Sequence, residues 1–441
     1  MDAPHETGGE PLADALRETG VTIREATPDD TVAGVPPRWV ALPETTDEVA
    51  ALLRVSAGND LAVTSVGGAT KLHWGNPPER CDLLIDTCCL NQVLEHASGD
   101  LVVRVQAGVT MEALAETLAA EGQELSLDAP LDGATVGGTL ATALAGPRRF
   151  RYGTARDLLI GITVVLADGT VARSGGKVVK NVAGYDLGKL FTGSYGTLGV
   201  ITEATFRLHP IPADRRWITT ELPPPESVAA GRPDVRPDPG TLTTGPSDVP
   251  PGLGALVAAL AASQAEPSAI EVDWPDIRGG PAISVLVEGT AADARARAVR
   301  TLVDGHGTPR ITTGPPGWWG APPGQDVLLE LHVPPSRMDG ALRAVAARGL
   351  PAHVRGSVAV AVLQIALPSD VGGAVLAETV SRLRADLGHL DGRLTVLAAP
   401  QEFTGRVDRW GPTGALPLMR RIKERFDPGR RMSPGRSVGG I

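Results

Sequence analysis

Residues 223 to 251 contain nine prolines, no aromatic residue and few large apolar ones. Such a stretch buries too little apolar surface to offset the entropy of ordering it, so no single core runs through it. The chain of 441 residues divides there, and at about 150 residues per domain its length suggests two or three domains. The expected organisation is a tail over 1–35, a first domain over 36–212, a Pro-rich linker over 213–254, a second domain over 255–400, and a basic segment over 401–441 that returns towards the first domain.

Before the linker, strand and helix signals alternate. Pro43 and Thr46 introduce an amphipathic helix through about Ala57, "LAVTSV" at 61–66 predicts the following strand, and further strands are expected at 82–86 and 101–106. Thr110 is an N-cap and Gly122 a stop for the helix between them. Asp168-Gly169 separates two apolar runs as a hairpin turn does, so antiparallel pairing follows a parallel-looking start. Beyond the linker the pattern predicts strands at 282–288, 327–333, 358–367 and 393–398, with helices at 291–303, 337–348 and 370–387. Leu376, Val380, Leu383 and Leu387 fall on one stripe of the last helix. The expected class is α+β: two α/β subdomains, then a second α+β domain whose sheet is covered by helices on one face.

A net charge of −10 argues against a nucleic-acid partner, which needs a basic footprint to displace counterions. The first twenty residues lack the basic start and apolar stretch of a signal peptide, and the apolar runs at 158–167 and 358–367 are about half the length that spans a bilayer. A cytoplasmic chain without direct membrane insertion is expected, associated with a membrane only through partners. Cys81, Cys88 and Cys89 have no zinc spacing and cannot supply an iron–sulfur ligand set, so no metal site is expected. Adjacent Cys88 and Cys89 read either as a redox or metal pair or as small buried residues.

Three glycine-bearing segments precede the linker: "VGGATKLHWG" at 66–75, "DGATVGGTLATALAGPRRFRYGT" at 132–154 and "KVVKNVAGYDLGKLFTGSYGTLGVIT" at 177–202. None has the spacing of a P-loop, and Gly193, Gly196 and Gly199 lack the Gly-x-Gly that opens a Rossmann fingerprint. Glycine at this density weakens regular structure, so it implies close approach to the main chain. Gly67-Gly68 after a strand serves either as a phosphate-holding nest, with Lys71 adding charge, or as a plain turn.

The order and spacing of the three segments resemble the FAD-binding domain of the vanillyl-alcohol oxidase/p-cresol methylhydroxylase (PCMH-type) superfamily. Within it, "AGPRRFRYGTARD" and "KNVAGYDLGKLF" look most like the GlcE-type FAD-binding subunit of bacterial glycolate oxidase. The resemblance is dense over about residues 40–212 and thinner in "GWWGAPPGQDVLLELHVPPS" and "FDPGRRMSPGR". It implies that Gly67, Gly68, Ala69, Thr70 and Lys71 wrap the pyrophosphate of FAD. Thr135, Val136, Gly137, Gly138 and Ala141 would line the flavin and ribityl side, with Gly146, Arg149 and Gly153 nearby. Gly196, Gly199, Val200 and Ile201 would hold the adenine end.

Members with covalent flavin carry His after the paired glycines, where Ala69 and Thr70 stand, so noncovalent FAD is implied. Related 2-hydroxy-acid dehydrogenase subunits carry a His-rich metal and substrate motif; the comparable "AHVRGSVAVAVL" keeps only His353. Hydroxy-acid oxidation needs a base and a cation for the carboxylate. Arg149 or Arg355 is a candidate cation, while His73, His332 and His353 are candidate bases without a decisive signal, and Tyr185 and Asp186 are candidate cofactor contacts. The implied function is that of an FAD-binding subunit of a glycolate-oxidase-like dehydrogenase acting on a small 2-hydroxy acid, beside a second flavoprotein subunit and an iron–sulfur subunit. Two rivals stay open: a self-sufficient FAD dehydrogenase of another hydroxy acid or sugar alcohol, and a non-catalytic structural subunit with the FAD fold. The basic run from Arg420 to Arg436 is either a solvated helix face or a cofactor or partner contact.

Overall fold

The runs "WVAL", "VTSV" and "LLID" are nearly all apolar, as strands buried on both faces must be, and in the computed structural model they form the heart of one sheet. The structure describes residues 9–129, 131–177, 186–224, 252–403 and 405–441. β1 (Thr22–Glu25), β2 (Trp39–Leu42), β3 (Val63–Val66) and β4 (Leu83–Asp86) are ordered β1-β2-β4-β3. The last three run parallel, and β1 is antiparallel to β2. Parallel neighbours need a crossover. The helix Thr46–Gly58 makes the crossover from β2 to β3, the strands on either side of β4, and is capped by the Thr45 side chain, which accepts from the Glu48 backbone N–H. Its Val49, Leu52 and Leu53 enter the core beneath the sheet.

A second, antiparallel sheet follows. It uses β5 (Val93–Ala97) and β6 (Val102–Gln106), then, after the two-residue β7 (Gln123–Glu124), β8 (Leu159–Val165), β9 (Val171–Gly175) and β10 (Val200–Arg207). The order is β5-β6-β10-β8-β9, while β11 (His209–Pro210) pairs with β7. Val165 faces Val171 across the Asp168-Gly169 turn, as the dipeptide predicts. The helix Met111–Ala119 begins at Thr110, whose hydroxyl accepts from the Ala113 N–H. Both sheets belong to one unit, built from the chain up to Ala145, Gly153–Ile211 and Pro412–Ile441.

The segment after residue 411 closes this unit. Val63 N–H donates to Arg431 O at 2.7 Å and Ser433 N–H to Val63 O at 2.8 Å, so residues 431–433 lie as a short parallel addition on the free edge of β3. What fixes them there is a buried ion pair. Lys423, on the helix Leu416–Phe426, donates from Nζ to Asp427 Oδ2 at 2.7 Å and to the carbonyls of Thr197 and Met432, each at 2.8 Å. Asp427, fully buried, also accepts from the backbone N–H groups of Arg431 and Met432. Every strong polar group of the pair is satisfied, which makes burying two charges tolerable.

The second unit comprises Gly146–Tyr152 and Pro212–Gly411. Its eight strands are β12 (Arg215–Glu221), β13 (Ala269–Trp274), β14 (Ala282–Glu288), β15 (Arg310–Thr312), β16 (Val327–His332), β17 (His353–Ser357), β18 (Val362–Leu367) and β19 (Arg393–Ala398). They are ordered β15-β12-β14-β13-β17-β18-β16-β19, with all pairings antiparallel. Alternate residues of each long strand, such as Ile270, Val272 and Trp274 or Leu329 and Leu331, share one core with the helices Leu253–Ala261, Ala292–Val303, Met338–Ala346 and Gly373–Gly388. The four helices therefore cover one face. The other alternate positions are largely polar.

Four boundaries differ from the sequence expectation. The tail over 1–35 contains a helix, Gly9–Arg17, and β1, because Ala13, Leu16 and Val21 are buried in the first core. The linker over 213–254 begins with β12, an interior strand held by β14 and β15. The basic segment over 401–441 divides, its first eleven residues joining the second unit. The run at 358–367 is not one strand: β17 and β18 pair Ser357 with Val362 around a turn in which Ala361 takes a left-handed φ of 51°.

Candidate functional site

The loop after β3 carries Gly67 to Lys71 over a cleft of about 540 Å³, completed by Thr135, Gly138, Ala141, Thr142, Tyr195, Gly196 and Arg436. The paired glycines are demanded by the protein itself. A Cβ on Gly68 would stand 1.8 Å from the carbonyl oxygen of Gly133, and one on Gly67 2.2 Å from Thr135 Oγ1. Both loops can touch only because neither residue has a side chain. The close approach that the glycines imply is thus, at Gly67 and Gly68, an approach of chain to chain. Gly196 is different: its φ is +73° and an added Cβ would come within 3.3 Å of the Ser65 and Ser433 hydroxyls, inside the cleft.

Lys71 is 6% exposed, and its Nζ donates to Thr70 Oγ1 at 3.1 Å. Burial pushes its ammonium down to about 8. The other charge on the cleft is Arg436, 4% exposed, whose Nη2 donates to the carbonyls of Leu72 and Trp74 at 3.0 and 2.9 Å. No acidic residue lines the cleft. A second hollow of about 380 Å³ continues past Gly67 and Gly138 to Thr87, Ala107, Gly137, Gly199 and Ile201. The charged side chains that line the cleft, Lys71 and Arg436, are both positive, which suits a phosphate-bearing ligand.

The titration of Lys71 has a sign that can be read. Its ammonium is harder to keep in the folded protein than in the unfolded chain, so below about pH 8 the fold bears the whole penalty. As pH rises from there towards the ordinary lysine value the folded state releases its proton first and the penalty fades. The protein without bound ligand is expected to gain about 3 kcal/mol from this group over that window, and a Lys71→Met variant to gain nothing. Denaturant titrations at pH 7 and 10 check this; equal gains in both proteins would overturn it.

The polar face of the second sheet carries the other chemistry. Asp273, Arg355, Gln364 and Glu330 are successive cross-strand neighbours on β13, β17, β18 and β16. Asp273 Oδ1 lies 2.7 Å from both His353 Nε2 and Arg355 Nε. Burial would raise the Asp273 carboxyl, but these two hydrogen bonds overcome it and hold the group below the ordinary range. Nε2 of His353 therefore faces an acceptor, Asp273 Oδ1, and at 3.2 Å a donor, Arg355 Nη2; a proton on Nε2 serves the shorter of the two contacts and leaves Nδ1 facing away from both. Arg355 is committed: beyond Asp273, its Nη1 donates to the carbonyls of Ala321 and Pro322. His332 is paired with Glu330 at 2.8 Å, and His73 is exposed beside Trp74.

Of the residues singled out in the sequence, Gly67, Gly68, Ala69, Thr70, Lys71, Thr135, Gly137, Gly138, Ala141, Gly196, Gly199 and Ile201 line the two connected hollows. Val136 and Val200 do not; both are buried in the cores. Gly146 and Arg149 fall in the second unit, where Arg149 Nε donates to Gly146 O at 3.1 Å, and Gly153 packs on Asp157. Asp186 forms an ion pair with Lys189, whereas Tyr185 lies outside the described residues. Cys81 is buried, while Cys88 and Cys89 hold their sulfurs 3.5 Å apart. Among the described residues no cluster of three or more His, Cys, Asp or Glu could hold a metal, and no helix is long and apolar enough to cross a membrane. The sequence left Arg436 between a solvated face and a cofactor or partner contact, and the structure places it on the cleft; it carried no signal for Asp273 as the partner of His353.

Residues 37–175 match the family described as FAD binding domain. The chain is 40% identical over 172 residues to the mitochondrial D-2-hydroxyglutarate dehydrogenase of Bos taurus, covering 39% of this chain and 32% of that protein. It is 36% identical over 183 residues to glycolate oxidase subunit GlcD of Bacillus subtilis (strain 168), covering 41% and 39%. These matches thus span less than half the length of either relative. In architecture it is similar to p-cresol methylhydroxylase with substrate bound, with a TM-score of 0.72 at 16% identity over 97% of this chain and 96% of that one.

Fold and cleft together define an FAD-binding flavoprotein. In fold the chain is similar to p-cresol methylhydroxylase, and residues 37–175 carry the match to the FAD binding domain. The cleft fits the cofactor: glycines at 67, 68, 138 and 196 line it, and its charged residues, Lys71 and Arg436, are positive.

Proposed function

We propose that the chain is an FAD-dependent oxidoreductase acting on the CH–OH group of a small 2-hydroxy acid, as the GlcE-type subunit of a glycolate-oxidase-like complex. The observation that carries this is the glycine-lined, positively charged cleft in a chain with an FAD binding domain. Oxidising an alcohol removes a hydride and a proton. FAD supplies the hydride acceptor when bound. The base that the second unit offers for the hydroxyl proton is His353, steadied by Asp273. Because Arg355 is committed to Asp273 and two carbonyls, Arg149 is the better cation for the substrate carboxylate.

Gly67 to Lys71 and Gly196 hold the dinucleotide noncovalently, Ala69 and Thr70 standing where an attaching histidine would be. Support for a hydroxy-acid substrate comes from the relatives, whose names are those of hydroxy-acid enzymes. With three cysteines this chain cannot ligate an iron–sulfur cluster, so onward electron transfer through one needs another subunit. The same Asp273–His353 pair favours a second reading, a dehydrogenase that turns over alone.

Acid precipitation of the purified protein is expected to release its flavin into the supernatant. Anaerobic mixing with glycolate, D-lactate or D-2-hydroxyglutarate is expected to bleach the flavin. No bleaching by any hydroxy acid would hand the case to a structural subunit, and sustained turnover at roughly 1–1000 per second with an artificial acceptor would favour the self-sufficient enzyme.

A further inference from the structure

Cys88 and Cys89 end the short turn Thr87–Cys89 that follows β4, and neither lines the two hollows. Their sulfurs lie 3.5 Å apart, with Cys88 exposed and Cys89 half-buried. The turn is held at both ends. Asp86 Oδ1 accepts from the Cys88 N–H at 2.9 Å, and Thr87 Oγ1 donates to Val66 O at 2.9 Å. On the far side Leu90 is fully buried; its N–H donates to Thr87 O at 3.0 Å and its carbonyl accepts from the Gly108 N–H at 2.7 Å. A Cβ on Gly108 would stand 1.9 Å from Thr87 O, so the neighbouring chain packs hard against the turn. Two thiols are thus presented side by side on a fixed backbone, which lowers the ordering cost of a ligand that takes both.

Geometry separates the ligands that such a pair can take. A disulfide ordinarily joins residues whose Cα atoms are about 4.4–6.8 Å apart, whereas neighbours across a trans peptide are only about 3.8 Å apart. Partial desolvation and the adjacent Cys89 sulfur also push the Cys88 thiol up to about 12, away from the thiolate form that reacts with oxidants. Direct bonding is disfavoured. A single atom placed between the sulfurs meets neither obstacle: two bonds of roughly 2.3 Å, the length of a zinc–thiolate bond, meeting at roughly 100° put their sulfurs about 3.5 Å apart. Zinc itself is held by three or four protein donors, and among the described residues no group of three or more His, Cys, Asp or Glu could hold a metal. An atom that needs only two bonds from protein and brings its third substituent with it fits the pair.

We propose that Cys88 and Cys89 form a dithiol site for trivalent organic arsenicals. The reaction is a condensation: the two thiols displace the oxygen of R–As=O, two As–S bonds form as the As–O bonds break, and both thiol protons leave on that oxygen as water. Arsenic stays trivalent, so no oxidant or reductant takes part.

The full chain, kept reduced with a phosphine, is titrated with phenylarsine oxide and followed by intact mass. One phenylarsenic group per chain is expected, with the loss of two hydrogens, and peptide mapping after iodoacetamide should find Cys88 and Cys89 both protected. Cys88→Ser and Cys89→Ser should each weaken binding on the order of 10²–10⁴-fold, the gain that a second intramolecular attachment supplies. Cys81→Ser should leave binding unchanged, because that thiol is buried. 2,3-Dimercaptopropanol is expected to strip the adduct where a monothiol at the same concentration does not. Protection of one cysteine alone, full affinity in either serine variant at 88 or 89, or no adduct on the unaltered chain overturns the proposal. So does protein isolated without reductant whose mass is two hydrogens short, since the pair then takes the direct disulfide. The mapping uses the unaltered chain, so it decides the matter even where a serine variant fails to fold.

Discussion

Replacing His353 by glutamine is expected to slow flavin reduction by hydroxy acid by 10²–10⁴-fold, the range that a positioned general base contributes, while FAD content stays at the level of the unaltered protein. The residue sits on a strand of the second unit and lines neither hollow of the first, so it takes no part in holding the cofactor. Asp273→Asn tests the mechanism more sharply. An amide can donate to Nε2, which would move the ring proton to Nδ1 and remove the lone pair that the reaction uses. Both variants should therefore fail in the same step, rapid-mixing absorbance of the flavin being the measurement. A His353→Gln protein that reduces its flavin at the original rate would sink the assignment of the base.

Asp427→Ala is expected to destabilise the first unit by about 3–5 kcal/mol, the cost of leaving a buried charge without its partner. Lys423 Nζ would keep the carbonyls of Thr197 and Met432 but lose its carboxylate, and the N–H groups of Arg431 and Met432 would lose their acceptor. Replacing both partners, as Lys423→Met with Asp427→Leu, should restore much of the loss, because neither charge is then desolvated. Because Ser433 and Arg436 follow directly, the single variant should also shed flavin. Urea denaturation followed by flavin fluorescence reads both effects; a loss under 1 kcal/mol would show that the pair does not anchor the segment.

What was legible in the sequence follows from where each signal is local. The stripe Leu376, Val380, Leu383 and Leu387 is buried as its spacing demands, and β19 occupies the expected Arg393–Ala398. β12 was hidden because its outward positions are charged: Arg215 is paired with Glu288 across the sheet, a partner 73 residues away. The turn inside 358–367 is built from valine and alanine, residues that signal a strand. The glycine loops could be placed because close approach has a compositional signature. Asp273 with His353, and Arg436 with Lys71, had none, since only the fold makes them neighbours.

The first unit is written in the chain on both sides of the second, and this sets an order of events on the ribosome. By the time residue 411 has left the exit tunnel, the second unit has all its strands, whereas β3 still presents an open edge and Asp427 has not yet met Lys423. Domains fold in order of emergence, and an open strand edge is a template for other chains. A nascent chain stalled between the two units should accordingly depend on chaperones to a degree that the released protein does not.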